Sequence, residues 1–77
     1  MEPRYVIILD FCLGALNIIE LTDKELKESE KYDDFGDFLS TLEDKYGFRL
    51  DDCHWMCCET LTEYRYEDGE LSSTETF

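Results

Sequence analysis

Hydrophobic and polar positions along this chain change period several times, and each change predicts an element. Arg4 to Cys12, RYVIILDFC, is apolar at nearly every position and dense in aromatic and β-branched residues. That is the composition of a strand central in its sheet or covered on both faces. Leu13 and Gly14 supply a tight turn, and in Ala15 to Leu21 the apolar Leu16 and Ile18 flank Asn17. Residues 4–21 therefore predict a hairpin.

At Thr22 the period turns helical. The stretch TDKE has the form of a capping box, in which the Thr22 hydroxyl and the Glu25 carboxylate each take the other's backbone amide. The helix it opens is short and exposed, because Leu26 is the only aliphatic residue in DKELKESEKY. A stronger helix follows. Phe35, Phe38, Leu39, Leu42 and Tyr46 fall at i, i+3, i+4, i+7 and i+11 and form one continuous stripe. Asp34 is placed to cap it, and Gly47 stands where a left-handed residue ends a helix.

The last third, CHWMCCETLTEYRY, is rich in Trp, Tyr and Thr and predicts a long third strand from Cys53 to Tyr66. One face would carry Cys53, Trp55 and Cys57, and the other His54, Met56 and Cys58. The tail EDGELSSTETF has four acids and no bases, with little to bury, and is expected to be disordered. The expectation is one domain over residues 1–66 and an acidic disordered tail over 67–77. Its fold is a small α+β domain in β-β-α-α-β order, a three-stranded sheet of order 2-1-3 with helices on one face. Strand one is central because it is the most apolar.

A sheet covered on one side has a second side to explain. The expected open face joins one parity of strand one, Val6 and Ile8, to His54, Met56 and Cys58. An apolar patch on a small domain marks a binding surface, for another protein or for a second copy of the chain.

Charge narrows the partners. Seven Lys and Arg stand against 20 Asp and Glu, a net charge of −13. Affinity for phosphate comes from basic residues displacing counterions, so direct nucleic-acid binding is disfavoured, and anionic membranes are disfavoured by the same sign. The acidic clusters Asp33-Asp34-Asp37, Glu43-Asp44 and Asp51-Asp52 serve solubility and helix capping first. The sharper alternative is a surface that imitates nucleic-acid phosphates and inhibits a basic DNA- or RNA-handling protein. At the start of the chain, Asp10, Asn17 and Glu20 interrupt the apolar run. It thus has neither the roughly 20 apolar residues of a spanning helix nor the form of a signal peptide. A cytoplasmic chain with reduced thiols is expected.

Candidate chemistry is confined to Cys53–Cys58, CHWMCC. Zinc needs ligands about 2.0–2.3 Å from one centre. On a strand, Cys53 and Cys57, or His54 and Cys58, are about 13 Å apart along the chain. Adjacent Cys57 and Cys58 lack the two-residue spacing of thioredoxin-type motifs. The reading is of cysteines packed as small hydrophobes, with no cofactor or metal. One histidine and no recognisable nucleophile or phosphate loop make a poor enzyme. The functional expectation is a small acidic binding or regulatory module without catalytic activity.

Overall fold

The structure, a computed structural model, describes residues 2–77. Strands β1 (Tyr5–Asp10) and β2 (Ala15–Glu20) form the expected hairpin. Helices α1 (Asp23–Ser29), α2 (Phe35–Ser40) and α3 (Glu43–Tyr46) follow, then a single 3₁₀ turn (Leu50–Asp52) and β3 (Cys53–Cys58). The sheet order is β2-β1-β3, with both neighbours antiparallel to the central β1. The small α+β domain and its strand order are thus as the pattern of hydrophobic residues predicts.

β1 stops at Asp10, two residues earlier than expected. Its carboxylate turns back to accept the N–H groups of Cys12 and Leu13 at 3.0 and 3.1 Å. That local bond competes with strand pairing and bends the chain, leaving Cys12 exposed in the turn.

Helix caps follow the sequence closely. Thr22 and Glu25 complete the reciprocal capping box, Asp34 accepts the Gly36 N–H at 2.9 Å, and Gly47 is left-handed at φ 74°. The single helix expected over Phe35–Tyr46 is broken at Thr41–Leu42. There the Thr41 and Leu42 amides reach back only three residues, to Phe38 and Leu39, and the Thr41 hydroxyl also donates to the Phe38 carbonyl at 2.6 Å. A hydroxyl that bonds the backbone in this way tightens the turn and ends the α ladder. The stripe survives the break. Phe38, Leu39 and Leu42 are buried against Val6, Ile8 and Ile19 of the sheet, together with Leu21, Leu26 and Phe48, while Phe35 and Tyr46 flank the cluster.

The end of the chain departs most from expectation. The long third strand is two strands, since pairing with β1 ends at Cys58 and Glu59–Leu61 leave the sheet. β4 (Thr62–Glu67) then pairs with β5 (Glu70–Thr76) in a separate two-stranded antiparallel sheet. The tail expected to be disordered is therefore half of a hairpin. Its turn is Asp68-Gly69, with φ 54° and 79°. Two consecutive positive φ angles make the tight turn whose twist matches paired strands, and Asp-Gly adopts it readily.

Candidate functional site

Cross-strand register decides which side chains share a face, because directly paired residues in an antiparallel sheet project to the same side. Toward the helices, Val6 lies between Ile19 and Cys57, Ile8 between Asn17 and Trp55, and Asp10 between Ala15 and Cys53. Away from them, Tyr5 lies between Glu20 and Cys58, Ile7 between Ile18 and Met56, and Leu9 between Leu16 and His54. The second set is a three-by-three grid with no helix over it.

This grid keeps three of the five residues expected on the open face: His54, Met56 and Cys58. The other two are corrected. Val6 and Ile8 are 0% exposed in the main core, under the helices. Their neighbours Ile7 and Leu9 are the residues that join His54 and Met56. A run apolar at four consecutive positions, Val6 to Leu9, has no period-two signal from which its inward parity can be read. β2 was no better guide: Leu16 and Ile18 alternate with Asn17, a pattern that ordinarily turns the apolar pair inward, yet both lie on the open face and Asn17 is on the helix side.

Leu9, Leu16, Ile18 and Met56 are 37–53% exposed. Beside them the Phe11 ring meets His54 edge-on at 4.9 Å, and Leu13 at the hairpin tip is exposed. Glu20, at one corner, is the only acid among the nine grid positions. In a chain with 20 acids that clearance sets the face apart.

The acidic residues are placed differently. Asp33, Asp34, Asp37, Asp44 and Asp51 are exposed, and Asp34 also caps α2. Glu43 accepts the Leu50 N–H, and Asp52 stands 4.0 Å from Arg49. Glu43, Asp44 and Asp52 line an open cleft of about 440 Å³ beside Asp10 and Arg49. Asp10 and Glu43 are already engaged there by backbone amides. No group of three His, Cys, Asp or Glu suited to a metal occurs among the described residues.

The strand reading of CHWMCC holds, and the three cysteines divide between faces. Burial pushes the Cys53 thiol up, with the Asp10 charge adding to it. Burial likewise raises Cys57, aided by neighbouring Cys58. Raised thiols are poor nucleophiles, because the thiolate is the reactive form. Trp55 packs its ring against Phe35 at 5.7 Å on the helix side.

Sequence reasoning missed the β4–β5 hairpin. It alternates: Tyr64 and Tyr66 share a face with Leu71 and Thr74, while Glu63, Arg65, Glu67, Glu70 and Glu75 lie on the other. The signal that could have found it is the dipeptide Asp68-Gly69 between alternating segments. No helix among the described residues is long and apolar enough to cross a membrane. Comparison with known proteins finds no matching family model, no matching curated protein and no matching solved structure.

Proposed function

We propose that this chain is a small acidic protein-binding or regulatory module that works in the cytoplasm through contacts and not catalysis. Its binding surface is the open sheet face. The observation that carries this reading is the coherent apolar grid, in which Leu9, Leu16, Ile18 and Met56 lie side by side with acids held to one corner. Apolar area left in water is costly by about 25 cal/mol per Å², so a patch of this kind is retained where something covers it. Four free thiols suit a reducing compartment.

The alternative, an acidic surface that imitates nucleic acid, draws less support. Asp34 and Glu43 already accept amides within the fold and Asp52 faces Arg49, which leaves four of the seven expected carboxylates, Asp33, Asp37, Asp44 and Asp51, exposed for an outside partner. A photo-reactive amino acid placed at Leu16 or Met56, compared with one at Asp37 on the helix side, separates the two. The sheet-face reading expects discrete protein adducts from Leu16 and Met56 that persist in about 0.5 M salt, where exposed charges are screened beyond about 4 Å. Adducts only from Asp37, lost at that salt, would sink it in favour of mimicry.

A further inference from the structure

We infer that the occupant of the open sheet face is a second copy of this chain, seated by reciprocal exchange of the β4–β5 hairpin. This rests on the sheet-face reading and names its partner. Each protomer lays Tyr64, Tyr66 and Leu71 of its arm across the Leu9, Leu16, Ile18 and Met56 grid of the other.

The first ground is an excess of surface. A compact monomer of 9.2 kDa exposes about 4,900 Å², whereas this chain exposes 5601 Å². The surplus of about 700 Å² is close to the roughly 800 Å² that each partner contributes to a standard interface. The radius of gyration agrees: 13.8 Å against about 11.5 Å for a compact domain of 77 residues. The arm accounts for the extension. Its two strands pair with each other, and every residue of them except the half-buried Glu63 is exposed. At its base the Phe77 N–H donates to the Leu61 carbonyl at 2.8 Å, which extends the arm's own ladder by one pair, and the Phe77 ring lies 6.4 Å from Tyr5 of the main sheet.

A two-stranded hairpin with nothing against it is marginal in water. This one exposes Tyr64 at 58%, Tyr66 at 67% and Leu71 at 52%. Each strand of the arm has six or seven residues, and each strand of the main sheet has six. At about 3.3 Å per residue both are about 20 Å long, so one sheet can cover the other at the usual spacing of about 10 Å. The arm begins at the Tyr5 end of the grid, where Phe77 meets Tyr5, and beyond it Ile7 is buried at the grid's centre while Leu9, Leu16, Ile18 and Met56 around it stay exposed. A two-fold axis lets both arms and both faces be covered at once and closes the assembly at two copies.

Local charge is compatible with the same occupant. The chain carries −13 in all, yet the arm's tyrosine face has no charge and the grid has only Glu20. Two copies can therefore meet through their neutral surfaces while their acids point away. Repulsion between the two acidic bodies remains, and salt screens it. Dimerisation must then tighten as salt rises.

Light scattering and sedimentation equilibrium on the full chain test this across micromolar to millimolar protein, at about 20 mM and about 0.5 M salt. Three proteins are compared: the wild type, Leu16→Asp and the double variant Tyr64→Ser/Tyr66→Ser. The wild type is expected to dimerise, more tightly at high salt, and each variant to associate at least about tenfold more weakly. Mixing the two variants is expected to restore a dimer, because one intact arm then meets one intact face. Circular dichroism and Trp55 fluorescence confirm folding, and Met56→Asp replaces Leu16→Asp if the latter unfolds. A dimer lost in Leu16→Asp but unaffected by the arm variant, or not restored on mixing, would overturn arm exchange in favour of direct face-to-face pairing. A wild type monomeric throughout would overturn the second copy as occupant. The sheet-face reading would then stand or fall separately on the Leu16 and Met56 adducts.

Discussion

The Tyr46 hydroxyl donates to the Glu25 carboxylate at 2.7 Å. Lys45 reaches the same oxygen, Oε2, at 3.1 Å, while Oε1 accepts the Thr22 N–H at 2.9 Å. One buried carboxylate therefore closes the capping box of α1 and fastens α3 to it. Tyr46→Phe removes one of these bonds and is expected to lower stability by about 1 kcal/mol in urea unfolding. Glu25→Gln disturbs the set and is expected to cost about 1–3 kcal/mol. Equal stability for all three proteins would show that the tie is idle.

The same carboxylate makes stability depend on acid. Burial alone would raise Glu25, but the Thr22 amide, the Tyr46 hydroxyl and the Lys45 ammonium outweigh it and hold the group at about 2. A carboxyl lower in the folded state than its unfolded value near 4.3 stabilises above that value. The contribution is lost as pH falls from about 5 toward 2. It is expected to be about 2–3 kcal/mol. Unfolding followed between pH 5 and 2 should show the decline, with a shallower slope in Glu25→Gln.

Adjacent residues of β1 should respond very unequally to truncation. Ile8 is fully buried, and Ile8→Ala is expected to cost about 2–5 kcal/mol. Leu9 is half exposed on the open face, and Leu9→Ala is expected to cost under about 1 kcal/mol in the monomer. Urea midpoints at low protein concentration measure both, and a reversed order would mean that the parity of β1 is inverted.

Gly47 ends α3 with φ 74°, and a Cβ placed there meets nothing within 4 Å. Gly47→Ala should therefore cost about 1 kcal/mol through backbone conformation alone. Thermal unfolding would register this as a drop of several degrees. An unchanged Tm would mean that the turn relaxes out of the left-handed region.

Much of this molecule was legible along the chain because local physics sets it. The Thr22 capping box, the Asp34 cap and the Gly47 terminus depend on groups within a few residues of one another. The central place of β1 follows from its unbroken apolar run, and His54, Met56 and Cys58 share a face because strand side chains alternate. The break at Thr41 was less visible, since a helical stripe is compatible with either a straight or a stepped ladder. The arm was signalled by Asp68-Gly69 but outweighed by the acidity of residues 67–77.

Tertiary structure decided what local pattern leaves degenerate. Val6 to Leu9 are all apolar, so either parity of β1 could have faced inward, and only the packing of Phe38, Leu39 and Leu42 selected Val6 and Ile8. The antiparallel direction of β3 was set by the course of the chain through α3 and the turn at Leu50–Asp52. By itself the sequence determined the β1–β2 hairpin, the helix caps and the strand order of the main sheet. Which residues remain for a partner was decided only when one face of the sheet was covered, because burial depends on neighbours distant in the chain.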